Sequence, residues 1–157
     1  MNIKLIAIGK TDNEALKSLI LEYQKRLSFY ISFDFECIPD LKNSKNLSES
    51  QQKEKEGELI LSKLTPSDYL VLLDENGKTF SSENYALFLQ KKMNMGLKTL
   101  ALVIGGPYGF SEEVYKRGNE KLSLSEMTFS HQMIRLFFIE QTYRAMTILK
   151  NEPYHHR

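Results

Sequence analysis

The run Thr99 to Ile104, bounded by Gly96 and by Gly105-Gly106, narrows most sharply what this chain can fold into. After Thr99 it has no polar position, so as a strand it has no face to offer to water and must be covered on both sides. A strand covered on both sides belongs to a mainly parallel sheet between helices, the α/β class. Ligand sites in such sheets lie outside the carboxyl ends of the strands.

The rest of the chain reads as the layers this strand requires. Residues 2 to 8 are rich in Ile and Leu and stop at Gly9. Asp12 or Asn13 can cap a helix whose apolar positions Leu16, Leu19, Ile20, Tyr23 and Leu27 recur at helical spacing. Ile31, Phe33, Phe35 and Cys37 alternate with polar residues, the pattern of a strand, and Pro39 closes it. Residues 40 to 55 are polar, but Ser48-Glu49-Ser50-Gln51 is a capping box that leads into a helix burying Leu59, Ile60 and Leu64. From Pro66 a second half predicts a strand over 68–74, a turn at Asp74-Glu75-Asn76-Gly77, and a helix from Ser81 or Ser82 to about Asn94. Ser111-Glu112-Glu113 starts a short helix, and residues 122 to 129 are a semi-polar loop or strand. The last helix, from about His131 to Lys150, has apolar residues all the way round, including Met133, Phe137, Ile139, Tyr143 and Leu149. Burying every face of such a helix in a small domain calls for a partner subunit.

With 157 residues the chain is read as a single domain, 1–157. Its apolar runs, such as Tyr69–Leu73 and Leu100–Ile104, are far short of the roughly 20 residues that span a bilayer, so no membrane partner is expected. The N-terminal stretch lacks the apolar core and cleavage site of a signal peptide. A single cysteine, Cys37, leaves no internal disulfide and no thiolate cluster, and these features together favour the cytoplasm. A net charge of +1 provides no broad electrostatic grip on nucleic acid, so an RNA partner would have to be recognised by shape and a local patch.

Neither the dinucleotide-binding nor the phosphate-loop glycine signature occurs. Gly109-Phe110-Ser111 begins like a nucleophile elbow, but Glu113 stands where the second glycine is required. Without His-Glu-x-x-His or a cysteine–histidine set, no metal site is expected. What remains are three strand ends and the C-terminal segment. Leu73-Asp74 and Ile104-Gly105-Gly106-Pro107-Tyr108-Gly109 end strands, and Leu124 to Phe129 precede the last helix. Glycines there let a ligand approach the backbone, though they could equally turn a tight corner around Pro107. Leu73, Leu124, Met127 and Phe129 read on their own as core, and His131 reads as a cap. Glu140 and Arg144, four apart on a helix, read as an ordinary ion pair. Pro153-Tyr154-His155-His156-Arg157 places an aromatic ring, two imidazoles and a guanidinium after a helix-ending proline, a set suited to stacking on a base and contacting phosphate.

Leu102–Gly109, Leu122–His131, Glu140-Gln141-Thr142-Tyr143-Arg144-Ala145 and the Pro153-Tyr154-His155 ending, in that order, resemble the bacterial ribosomal RNA large subunit methyltransferase H family. Together with the opening Ile3–Lys10, the resemblance spans essentially the whole chain. It implies a SPOUT-type α/β fold with a deep C-terminal trefoil knot, the knot and cofactor site falling within about 68–157, and a homodimer. It further implies methylation of ring nitrogen 3 of a pseudouridine in 23S rRNA of the assembled 70S ribosome. The donor would be S-adenosyl-L-methionine, leaving S-adenosyl-L-homocysteine, without a metal. Family cofactor contacts carry onto Leu73, Gly105, Leu124, Ser125, Glu126, Met127, Thr128 and Phe129. For substrate and catalysis the resemblance points to Tyr154, His155 as candidate proton acceptor, and Arg144, with His131, His156 and Arg157 as further RNA contacts. Related sequences usually place Arg or Lys directly after Pro-Tyr-His, whereas here His156 precedes Arg157, which leaves two candidates for the terminal cation. The alternatives are a non-catalytic ribosome-binding protein of the same fold and a methyltransferase acting on tRNA.

Overall fold

The computed structural model describes residues 1–156; Arg157 lies outside the described residues. Five strands form one sheet in the order β2-β1-β4-β3-β5, and every pairing is parallel. They are β1 (Asn2–Ile8), β2 (Ser32–Ile38), β3 (Tyr69–Thr79), β4 (Thr99–Ile104) and β5 (Glu120–Ser123). The helices are α1 (Glu14–Ser28), α2 (Glu49–Ser62), α3 (Ser82–Asn94), α4 (Glu112–Arg117) and α5 (Met133–Leu149). β4 lies between β1 and β3, the covered position its sequence demands.

Period-two alternation along the strands sorts their side chains onto two faces. Ile3, Leu5, Ala7, Val71, Leu73, Leu100, Leu102 and Ile104 pack with α1, α3 and α5 on one face. Ile6, Ile8, Leu70, Leu72, Ala101 and Val103 pack with Ile60, Phe110 and Val114 on the other. Helix starts follow local chemistry: the side chains of Asn13, Ser81 and Ser111 accept backbone N–H groups of the first turn, and Ser48 and Gln51 form the reciprocal capping box. In α2 Ile60 is buried and Leu59 partly so, whereas Leu64, expected on this helix, lies beyond its end at Ser62 and packs against the second cluster from there. Among the described residues no helix is long and apolar enough to cross a membrane.

One further expectation is corrected. Asp74 to Gly77 do not end the strand: β3 continues to Thr79, with its register on β5 broken between Leu73 and Lys78. Leu122 pairs with both Leu73 and Lys78, so the intervening residues loop out and return onto the same β5 backbone. A Cβ on Gly77 would sit 2.6 Å from the Leu122 backbone, which is why that return needs glycine. α5 is not enclosed by its own chain. Its flanks are covered by α1 and α3, but Met133 and Phe137 remain 40% and 37% exposed, so a single chain does not bury the helix on every side.

Candidate functional site

The carboxyl ends of β3, β4 and β5 open into two adjoining cavities. The larger, about 440 Å³, is lined by Leu73–Asn76, Ile104–Phe110, Tyr115, Thr128, Phe129, His131 and Ile134. The smaller, about 120 Å³, is lined by Leu73–Glu75, Leu122–Phe129 and Ile134. The structure therefore brings Leu73, Gly105 and the whole run Leu124–Phe129 to one place, and His131 joins them there.

The glycine segment is shaped from behind. The Gly109 N–H donates to the Gly106 carbonyl (3.1 Å), closing a turn over Pro107-Tyr108, and Gly109 has φ +81°. To that extent the tight-corner reading holds. Gly105 and Gly106 have a different reason for lacking a side chain. A Cβ at Gly105 would lie 3.1 Å from the Phe110 ring, and one at Gly106 would lie 2.5 Å from a Glu56 carboxyl oxygen. Glu56 is 3% exposed and, among the described residues, its Oε1 has no hydrogen-bond partner. Burial, with help from Asp40, raises its pKa against the lowering effect of Gln52. On the rim, the Tyr115 hydroxyl donates to Asp74 Oδ2 (2.5 Å); burial first, then that carboxylate, push the phenol up to about 12.

The segment Leu124–His131 is held mainly at its ends. Ser123 Oγ donates to the Ser125 carbonyl (2.9 Å), and Ser125 Oγ accepts the Met127 N–H (3.0 Å). At the far end the His131 carbonyl accepts from Arg135 Nε (2.9 Å).

The C-terminal residues assemble a second cluster elsewhere. Tyr154 donates to Glu140 Oε1 (3.0 Å), lies 3.3 Å hydroxyl to hydroxyl from Tyr23, and meets the Tyr143 ring edge-on at 4.7 Å. Burial, then the contacts with Tyr23 and Glu140, raise its pKa. Arg144 binds Glu140 through Nε (3.1 Å) and Nη2 (2.6 Å) and stacks 4.7 Å over the Tyr154 ring. Its Nη1 points at His155 Nδ1 (3.3 Å). A guanidinium only donates, so in this arrangement the Nδ1 lone pair of His155 is occupied by Arg144. Glu140 is thus more than half of a helical ion pair: it ties Arg144 and Tyr154 together and accepts from Gln141 Nε2 (2.8 Å). His156 is exposed, and Arg157 lies outside the described residues.

None of Arg144, Tyr154 and His155 lines either cavity. From Ile134, in the cavity wall, to Arg144 is ten residues of α5, about 15 Å along the axis. Within one chain the expected cofactor residues and the expected C-terminal residues are two separate groups. Tyr115, Glu56 and Arg135 carry no assignment from the sequence, and Asp74 enters there only as a strand end. Only Arg135 carried a signal, as a lone charge inside the apolar run Met133-Ile134-Arg135-Leu136-Phe137. Among the described residues no group of three or more His, Cys, Asp or Glu side chains is placed to hold a metal ion.

Residues 1–155 match the model of a family described as "Predicted SPOUT methyltransferase". Over all 157 residues, the full length of both chains, the sequence is 74% identical to the ribosomal RNA large subunit methyltransferase H of Flavobacterium johnsoniae and equally to that of Flavobacterium psychrophilum. It is 56% identical over 156 residues, 99% of each chain, to the protein of that description from Bacteroides thetaiotaomicron.

Proposed function

The chain belongs to the SPOUT methyltransferase family, and from that premise we propose that it methylates large-subunit ribosomal RNA, at ring nitrogen 3 of a pseudouridine in 23S rRNA of the assembled 70S ribosome. S-adenosyl-L-methionine is the donor and S-adenosyl-L-homocysteine the product, and a ribosomal substrate places the reaction in the cytoplasm. The observation that carries this reading is the convergence of Leu73, Gly105 and Leu124–Phe129 on adjoining cavities at three strand ends. Their size suits a nucleoside-sized ligand, and their walls combine apolar side chains such as Leu73, Leu124 and Phe129 and glycine backbone with the polar groups of Asp74, Glu75 and Ser125. A C-terminal trefoil knot belongs to this reading as an implication of the family.

The donor, when bound, supplies an electrophilic methyl group, so the protein's tasks are placement, exclusion of water and handling of one proton. Leu73, Gly105 and Phe129 would hold the donor, and the 124–131 segment would cover it. Ring nitrogen 3 begins protonated, and His155 is the side chain proposed to take that proton. To do so the imidazole must part from Arg144, because its Nδ1 lone pair is engaged there. Separation from Arg144 would also leave that guanidinium a free donor toward phosphate or carbonyl oxygen. Tyr154 would stack or hydrogen-bond at the substrate, with His131, His156 and Arg157 as further contacts.

Since His155 and Gly105 do not meet within one chain, we infer a homodimer in which the C-terminal segment of one copy serves the cavity of the other. The part-exposed Met133 and Phe137 on α5 supply apolar surface for that contact. Mixed dimers of His155→Ala with Gly106→Ala chains should recover part of the activity that each parent lacks. Failure of any mixture to recover activity would remove the shared site.

The deciding experiment is methyl transfer from labelled S-adenosyl-L-methionine to 70S ribosomes lacking this modification, beside free 23S rRNA and tRNA, with the product nucleoside mapped by mass spectrometry. Label in a pseudouridine of 70S particles alone is the expected outcome. Label in tRNA would move the substrate, and no label despite donor binding would favour a non-catalytic ribosome-binding role. With RNA saturating, His155→Ala should slow single-turnover methylation by about 100-fold or more; an unchanged rate would remove the proton-acceptor role.

A further inference from the structure

Arg135 is 1% exposed, and among the described residues no carboxylate lies within ion-pair distance of it. Its partners are all neutral. Nε donates to the His131 carbonyl (2.9 Å), Nη2 to the Ile8 carbonyl (2.8 Å) and Nη1 to Thr11 Oγ1 (3.0 Å), with Cys37 Sγ at 3.8 Å. Gln132 repeats the pattern one turn earlier: its Nε2 donates to the Lys10 carbonyl (3.1 Å) and its Oε1 accepts the Asp12 N–H (3.0 Å). Two side chains at the start of α5 therefore grip residues 8–12, the carboxyl end of β1 and the loop leading to α1.

Burying a guanidinium without an ion-paired carboxylate costs free energy that an apolar residue here would not, and Asp12 and Asp40 offset that cost only from a distance. Burial lowers its pKa from the usual value, but a guanidinium remains charged in a protein. Arginine supplies a planar fork of donors in fixed directions, which joins three chain segments at once; lysine, a point charge on a flexible stem, cannot reproduce it. One of those segments ends the 124–131 strap, whose residues Glu126, Met127 and Thr128 are exposed. The strap's far anchor is thus the arginine, and the arginine's own anchorage is the β1–α1 loop.

We propose that Arg135, with Gln132, is a positioning pair that sets the 124–131 strap along the donor cavity and thereby makes the β1–α1 loop part of the site. This rests on the donor site proposed above. The test compares wild type, Arg135→Lys and Gln132→Ala by calorimetric titration with S-adenosyl-L-methionine, by hydrogen exchange over residues 124–131 without donor, and by single-turnover methylation. Gln132→Ala, altering a half-buried side chain outside the core, should lower the unfolding midpoint only slightly while weakening donor binding about threefold to tenfold. Arg135→Lys should weaken it more than tenfold. In both, methylation should recover toward wild type at saturating donor, and exchange should quicken over 124–131 but not in α2. Folded variants with wild-type affinity and wild-type exchange would overturn the proposal, as would an Arg135→Lys chain that loses stability while binding donor normally. If wild type itself binds no donor, the donor assignment fails, and the exchange comparison still decides whether the pair holds the strap.

Discussion

The two ends of the sheet treat buried charge in opposite ways. At the amino ends of β3 and β5, Lys92 is buried but fully partnered: it binds the Glu120 carboxylate and the Tyr69 hydroxyl (3.0 Å) and lies 4.1 Å over the Tyr69 ring and 4.9 Å over that of Phe88. At the carboxyl ends, Arg135 has only neutral acceptors, and Glu56 has one carboxyl oxygen without a partner. A paired charge recovers part of its desolvation cost within the fold, whereas one without an ion-pair partner must rely on neutral hydrogen bonds. The first end is built to hold the sheet together. The second holds backbone in place around an opening.

Breaking the second end should give the largest effect. Gly106→Ala would drive a Cβ to 2.5 Å from Glu56 Oε2 and 2.6 Å from Oε1, so either that carboxyl, only 3% exposed, or the loop must shift, the loop toward the cavity. Overpacking of this kind costs about 1–3 kcal/mol of stability. The expected loss in donor affinity is at least tenfold, measured by calorimetry. The double variant Gly106→Ala/Glu56→Ala removes the obstructing carboxyl and should regain much of that affinity. If it does not, the carboxyl is not what shapes the loop.

Lys92→Met tests the other end and should separate stability from function. It strips Glu120 and Tyr69 of their cation, but Glu120 is more than a third exposed and can return to water, so the loss is discounted to about 2 kcal/mol. That is a sizeable part of a typical domain's 5–15 kcal/mol, and urea denaturation would resolve it. Donor affinity of the folded variant should match wild type. A large change in affinity would mean that the two ends are coupled and that the contrast between them is false.

How much of this was legible in the sequence depends on the range of the cause. Caps at Asn13, Ser48, Ser81 and Ser111, and the two-sided burial of Thr99–Ile104, arise from neighbours within a few residues, and the sequence displays them. The continuation of β3 to Thr79 was hidden. Asp-Glu-Asn-Gly is turn composition, and what overrides it is a ladder to Leu122, more than forty residues away. Glu56 was hidden too, because Lys-Glu-Lys-Glu-Gly-Glu has the look of a solvated face, and only the approach of the Gly106 backbone turns one of its acids inward. The separation of His155 from Gly105 has no local signature, since it follows from where α5 lies against the sheet.

A pH comparison sharpens the contrast with a smaller effect. The folded-state pKa of Glu56 is raised, by burial first and then by Asp40, so the native state binds a proton that the unfolded state releases at lower pH. Wild-type stability is therefore greatest, as far as this group contributes, below the ordinary carboxyl range, and declines as pH rises from there through the raised value. Glu56→Gln does not titrate. Its unfolding midpoint should equal that of wild type near pH 4 and exceed it near pH 8. A gap of the reverse sign would show that the ionised carboxylate is the form the loop requires.

Tyr115→Phe should have the smallest effect, and its smallness is informative. The lost hydroxyl donates to Asp74 at the cavity rim, where both side chains reach solvent, so water can replace it. A hydrogen bond of that kind contributes about 0.5–1.5 kcal/mol at most, toward the low end when exposed. Stability should fall by about 0.5 kcal/mol and donor affinity by no more than threefold. The Tyr115 phenol, held up to about 12, stays protonated at any pH where the protein would be assayed, so the variant should add no new pH dependence between pH 6 and 9. A loss of tenfold or more would show that Asp74 must be held in one rotamer. The carboxyl end would then depend on a rim hydrogen bond as well as on the buried charges beneath it.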